Sequence, residues 1–141
     1  MVSLRKRFSK NDRRLMEELW SREKYRVMYH SQTHYEQIRE TLKRDPPLAD
    51  IEALIGDAIR TPPTDGSVRN AVQHMWGYFK KQAEEEEKQE YRRLLDGFSS
   101  GGTREEELLR FIRTLAEKYG VKYLLNSTIL VSDQQKKDSP F

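Results

Sequence analysis

The sixteen residues SVRNAVQHMWGYFKKQ, residues 67–82, are the stretch around which the chain is organised. At about 100° per residue, a helix over this stretch has an apolar side: Val68, Val72, Met75 and Phe79, with Trp76 at its margin. Its opposite side is polar: Asn70, His74, Gly77 and Lys81. An ordinary surface helix mixes Glu with Lys, whereas this stretch has no acidic residue. The pattern predicts a central helix with a core face and a face for a ligand or partner.

The composition predicts a small all-α protein. The chain has 141 residues, of which 35% are hydrophobic, so it can bury only one modest core. Apolar residues recur at helical spacing along most of the chain, which predicts a bundle of about five to six helices. There is no cysteine, which excludes disulfides, thiolate nucleophiles and Cys-ligated zinc or iron–sulfur centres within this chain.

Three segments are expected along the chain. Residues 1–9 are basic and weakly patterned, which predicts a flexible arm, and residues 10–131 are expected to form a single all-helical domain. Residues 132–141 are predicted to be a disordered tail. No apolar run suits an export signal or a membrane helix, so we expect a cytoplasmic protein without a membrane partner. The sequence leaves the oligomeric state open.

Local signals place several helix ends. The apolar stripe of the first helical segment shifts near Ser31, which predicts a bend or a second helix capped by this residue. Asp45, followed by two prolines, is predicted to cap the next helix. Thr103 and Glu106 have the spacing of a capping box, and Gly120 suits the position after a helix C-terminus.

Positive charge is concentrated in two blocks. Residues 1–44 carry twelve Lys or Arg and six Asp or Glu, and residues 67–82 carry three Lys or Arg without an acidic residue. If the two blocks pack side by side, they form a positive surface suited to phosphate. The alternative is that the charges are dispersed and only solvate the surface.

The histidines allow a metal-site hypothesis. The stretch KYRVMYHSQTHY, residues 24–35, places His30 and His34 four residues apart, and His74 would supply a third ligand. Three imidazoles can hold a zinc ion that stays open to water. No Glu lies between the two histidines to act as a general base, and the competing interpretation places His30 on the surface and His34 at the core edge. We therefore expect no cofactor.

Gly77 interrupts the predicted central helix. A glycine inside a helix costs about 1 kcal/mol relative to alanine. Its position on the polar side predicts close approach of a ligand or another backbone, and a helix–helix contact is the alternative.

Basic residues alternate with planar side chains in both stretches. Amines neutralise phosphates, rings stack on unpaired bases and amides read base edges, a combination typical of RNA recognition. The interpretation assigns phosphate contacts to five residues: Lys24, Arg26, Arg69, Lys80 and Lys81. It assigns four more to a cleft between the first helical segment and the central helix: His30, Asn70, His74 and Tyr78.

These two stretches also resemble the YbgA-like domain family, a family of unknown function. The resemblance runs from about residue 11 to residue 131. The matching residues in the first stretch are Lys24, Met28, His30 and Tyr35. Those in the second are Asn70, His74, Gly77, Tyr78, Phe79 and Lys81.

The resemblance implies a role beside a desulfidase. Members of that family occur alone or fused behind a cysteine-rich iron–sulfur domain that removes sulfur from thiolated pyrimidines. For the fused members, the resemblance implies an accessory role in holding thiolated tRNA for the desulfidase domain. We therefore expect a non-catalytic module that binds structured RNA such as tRNA. The alternatives are a histidine-based metal-dependent or acid–base enzyme acting on a nucleotide, and an adaptor that docks a separate desulfidase.

Overall fold

The computed structural model describes residues 10–131 and 141, and within them every regular element is an α-helix. The seven helices are α1 Lys10–His30, α2 Gln32–Leu42, α3 Leu48–Arg60, α4 Asp65–Trp76, α5 Glu85–Ser100, α6 Glu105–Lys118 and α7 Lys122–Leu125. The predicted all-α class is confirmed. The expected arm at 1–9 and the expected tail lie outside the described residues, except for Phe141, which is half-buried.

Helix α4 lies at the centre of the core. Its predicted apolar side is buried, and Met75 and Phe79 are inaccessible to solvent. Helix α1 packs against both α3 and α4, and α6 packs against α4 from another side. The buried residues Val27 and Met28 belong to the α1 contribution to this core. The two basic segments of the sequence therefore adjoin in space.

Helix α4 is shorter than predicted. It ends at Trp76, and residues 77–82, hereafter the Gly77 turn, continue as a tightened series of turns. The amides of Tyr78 and Phe79 donate to carbonyls three residues back, at 3.1 and 2.9 Å, where a regular helix would use the fourth. A Cβ at Gly77 would lie 3.1 Å from the carbonyl oxygen of His74. The glycine thus serves this local turn, and neither a helix–helix contact nor the approach of a second backbone explains it.

Ser31 separates α1 from α2, as predicted. Its backbone is extended, with φ of −161°, and its side-chain oxygen accepts a hydrogen bond of 3.2 Å from the amide of His34. The break redirects the chain so that Tyr35 stacks on Trp20 with ring centroids 5.9 Å apart.

The predicted cap at Asp45 is wrong. Pro47 is the N-cap of α3, whereas Asp45 has a positive φ of 48° and its carboxylate pairs with Arg13. Gly120 is confirmed after the end of α6, with a φ of 64° that favours glycine.

The Gly77 turn is anchored at its far end. The Tyr119 hydroxyl lies 3.4 Å from the Gln82 carbonyl oxygen and donates to Glu87, which also receives a hydrogen bond of 2.8 Å from Lys118. Burial raises the pKa of Glu87, but the hydrogen bonds from Lys118 and Tyr119 outweigh it and hold that pKa at about 2. The carboxylate stays charged near neutral pH, and the turn is tied to α5 and α6.

The predicted capping box at Thr103 is also wrong. Arg104 is the N-cap of α6, because Thr103 is buried against Gly97 of α5. A Cβ at Gly97 would lie 2.1 Å from Thr103 Oγ1 and 3.2 Å from Thr103 Cβ. The joint between α5 and α6 therefore requires glycine at position 97.

We predict that Gly97→Ala destabilises the protein by about 1 to 3 kcal/mol, because the added methyl group overpacks the buried joint. Urea unfolding followed by circular dichroism measures the change. Gly66→Ala is the matched control, since its nearest neighbour would be 3.8 Å away and alanine favours the helix there. Equal stability of the Gly97→Ala variant and the wild type would contradict the close packing of α5 on Thr103.

Candidate functional site

Four tyrosines from four parts of the fold meet at one site, hereafter the tyrosine cluster: Tyr25 of α1, Tyr35 of α2, Tyr78 of the Gly77 turn and Tyr123 of α7. The rings of Tyr78 and Tyr123 are stacked, with centroids 6.1 Å apart and planes 18° from parallel. Tyr25 meets both rings edge-on, at 6.2 and 6.3 Å. Its hydroxyl oxygen lies 2.9 Å from that of Tyr78, so the two share a hydrogen bond.

The cluster has a buried base and an exposed top. Tyr25 is 4% exposed, whereas Tyr78 and Tyr123 are 38% and 39% exposed. Burial raises the pKa of Tyr123, and the neighbouring phenols of Tyr78 and Tyr35 raise it further. Burial and the hydrogen bond with Tyr78 raise the pKa of Tyr25 in the same way. Both hydroxyls therefore stay protonated at neutral pH and can donate hydrogen bonds.

Two cations border the cluster. The ammonium of Lys24 lies 5.4 Å from the centroid of the Tyr25 ring, and the guanidinium of Arg39 lies 5.7 Å from that of Tyr35. Arg39 is also 3.7 Å from Glu36. Burial and then the charge of Arg39 lower the pKa of Lys24. A negative charge near Lys24 would counteract this lowering of its pKa by burial and by Arg39.

The polar side of α4 continues into this site. Asn70 donates to the side chain of Gln32 at the start of α2, and His74 Nδ1 donates to the Asn70 carbonyl oxygen over 2.8 Å. His74, Lys80 and Lys81 are all exposed. Within residues 12–131 and 141, no carboxylate comes within 4.0 Å of Lys24, Lys80 or Lys81 to form an ion pair. These lysines can accept an anion without breaking an existing bond.

Arg26, for which a phosphate contact is predicted, is engaged within the fold. Its guanidinium lies 3.6 Å from the buried carboxylate of Glu23 and donates to the Phe141 carbonyl oxygen over 3.2 Å. Thr128 also donates to Glu23, over 2.8 Å. These contacts tie the end of the chain to α1.

Arg69 and His30 are likewise engaged away from the cluster. Arg69 donates to the Leu95 carbonyl oxygen of α5 over 2.9 Å, and His30 Nδ1 donates to the Thr61 carbonyl oxygen over 2.8 Å. Helix α1 packs directly on α4, and the cleft between the first helical segment and the central helix stays a prediction. The candidate residues Tyr78, Lys80 and Lys81 lie on a solvent-exposed face.

The three histidines do not converge. Ser31 breaks the helix between His30 and His34, so the spacing of four residues does not place them on one continuous helix. His34 Nδ1 lies 2.7 Å from the Ser31 hydroxyl, and His74 is held by Asn70. The part of the chain that the structure describes has no group of three His, Cys, Asp or Glu side chains able to hold a metal ion. The three-histidine hypothesis thus finds no support in the geometry.

Sequence reasoning missed Tyr123 and Arg39. Tyr123 lies in a short apolar segment whose helical pattern is too brief to assign a face, and only the contact of α7 with the rest of the fold brings it to Tyr25. Arg39 follows Tyr35 by one helical turn in α2, a spacing that the sequence does show.

The family to which the chain belongs follows from a comparison with protein families. The model of the family described as a protein of unknown function, DUF1722, matches residues 24–132 of the 141 residues. The chain belongs to the DUF1722 family. The matched range includes the whole tyrosine cluster and both stretches singled out in the sequence. No curated protein and no solved structure matches the chain.

The described helices of this DUF1722 protein were also assessed against the requirements of a membrane span. None of them is both long enough and apolar enough to cross a bilayer.

The shared hydrogen bond between Tyr25 and Tyr78 predicts energetic coupling. Tyr78→Phe leaves the buried Tyr25 hydroxyl without this partner, so we expect each single Phe variant to lose about 1 kcal/mol or more, and the double variant to lose less than the sum. Urea unfolding of the four proteins gives the coupling energy. Tyr91→Phe is the control, since its hydroxyl makes no hydrogen bond to any described residue. Additive losses would contradict the hydrogen bond.

Proposed function

We propose that the chain binds RNA through the Tyr78 face, which we define as Lys24, Tyr78, Lys80, Lys81 and Tyr123. One observation carries the proposal: the Gly77 turn presents together an exposed ring and two lysines that have no ion pair among the described residues, beside a second exposed ring and Lys24. The elements that hold these side chains are anchored in the core.

The chemistry of the face suits a polyanion with aromatic parts. Lysines that neutralise phosphates release condensed counterions, which supplies much of the affinity for RNA. Exposed tyrosine rings add stacking on bases, which tolerates any base because every base has a flat π face. The Tyr123 hydroxyl supplies a donor for base or ribose oxygens.

The resemblance to YbgA-like domains supports structured RNA, and thiolated tRNA in particular, as the ligand. In the fused members the resemblance implies that this domain holds tRNA for the desulfidase half. For this chain we propose the same accessory role, with the desulfidase as a separate protein. The role requires no catalytic group on this chain.

Two lysines test the proposal. In binding titrations with unfractionated tRNA, the Lys80→Ala/Lys81→Ala variant is expected to bind more weakly than the wild type. Its plot of log affinity against log salt should be shallower by about one unit for each lysine that contacts a phosphate.

A matched control removes the same charge elsewhere. Arg92 and Arg110 are exposed on α5 and α6 and have no ion pair within the described residues, so Arg92→Ala/Arg110→Ala changes the net charge equally. This variant should keep the affinity and salt slope of the wild type, apart from a small general charge effect. If the two double variants behave alike, binding depends on total charge and the Tyr78 face is not the site.

A further inference from the structure

The Tyr25, Tyr78 and Tyr123 rings form a small preorganised aromatic surface. Their centroids form a triangle with sides of 6.1, 6.2 and 6.3 Å, in which Tyr78 and Tyr123 are nearly parallel and Tyr25 is nearly perpendicular to both. The buried Tyr25 fixes the two exposed rings from below. A ligand that stacks on them therefore orders few side chains on binding, which lowers the entropic cost.

The rings alone do not decide between ligand classes. Exposed tyrosines stack with planar groups, and they also attract cations through the negative face of the ring. Here the binding of a cation is disfavoured, because Lys24 lies over the Tyr25 ring and Arg39 over the ring of Tyr35 in the same cluster. An incoming cation would meet two positive charges. A neutral planar group attached to an anion suits both the rings and the charges.

Lys24 is placed to bind that anion. It is half-buried beside the cluster and has no carboxylate partner within residues 12–131 and 141. Arg39, the other cation at this edge, has one at 3.7 Å in Glu36. Among the described residues, Lys24 is thus a cation beside Tyr25 without a carboxylate partner, and a phosphate would compensate its charge.

We propose that the tyrosine cluster is a subsite for one unpaired nucleotide, whose base stacks on the exposed side of the Tyr78–Tyr123 ring pair and whose phosphate is bound by Lys24. This inference rests on the proposed function and narrows it, because bases stacked within a duplex do not present a free face to a protein ring. The preferred RNA therefore has at least one unstacked nucleotide next to a structured part. Tyr25 is a positioning residue that acts through the other two rings.

Two RNA probes that differ in one feature test the subsite. One is a blunt RNA duplex, and the other is the same duplex with a short single-stranded 3′ overhang of uridines. Wild-type protein is expected to bind the overhang probe about tenfold or more tightly than the blunt probe. Tyr123→Ala should reduce this preference by about fivefold or more, since the loss of one stacked base costs at least about 1 kcal/mol.

Three further variants test whether a change in binding comes from the stacking of the base, from the Lys24 charge or from the loss of any exposed apolar side chain. Tyr123→Phe keeps the ring and should keep most of the preference. Lys24→Ala should weaken binding of the overhang probe and lower its salt slope by about one unit. Leu15→Ala removes a comparably exposed apolar side chain from α1 and should change neither probe. Circular dichroism melts check that each variant is folded.

The outcomes distinguish failure of the nucleotide subsite from failure of RNA binding by the Tyr78 face. Equal binding of both probes by the wild type, or a full preference retained by Tyr123→Ala, overturns the nucleotide subsite. If Lys80→Ala/Lys81→Ala still weakens both probes in that case, RNA binding by the Tyr78 face stands without the subsite. If the wild type binds neither probe at low salt, both proposals fall.

Discussion

The burial of Phe79 is the constraint on which the rest of the site depends. This ring is inaccessible to solvent and contacts Trp76 and Tyr119, with centroids 6.3 and 6.0 Å away. It lies just after the end of α4, so it anchors the Gly77 turn to the core. The neighbouring residues of the turn then have to face outward, and Tyr78 is left against Tyr25 of α1. A core contact thus orients the surface residues that we propose to bind RNA.

The same anchoring makes this exposed face suitable for binding. The rings of the tyrosine cluster come from α1, α2, α7 and the Gly77 turn, and each of these is packed against the core. Rigid rings lose little conformational freedom when a base stacks on them. Many cations elsewhere on the first helical segment are already matched by carboxylates, as Arg13 is by Asp45. The lysines of the Tyr78 face, which lack a carboxylate partner in the part of the chain that the structure describes, are therefore more informative than the net charge of the chain.

Local sequence signals predicted the features that depend on local physics. Helical periodicity identified the buried side of α4, and Ser31 identified the break between α1 and α2, because side-chain spacing and capping act within a few residues. The features that failed depend on tertiary contacts. Thr103 is buried against Gly97, so it does not cap α6. The contacts of Arg26 also involve the buried carboxylate of Glu23 and the distant Phe141, which residue type alone does not reveal. Tyr123 was missed because its partners lie far away in the chain.

The most direct test of RNA binding by the Tyr78 face is an amide chemical-shift titration of the isotope-labelled protein with tRNA at low salt. It reports on the whole chain without choosing residues in advance. The account predicts that the largest shifts cluster in the Gly77 turn, around Tyr123 and around Lys24, and that added salt reverses them. Shifts centred on the joint between α5 and α6, or a spectrum that tRNA leaves unchanged, would contradict it.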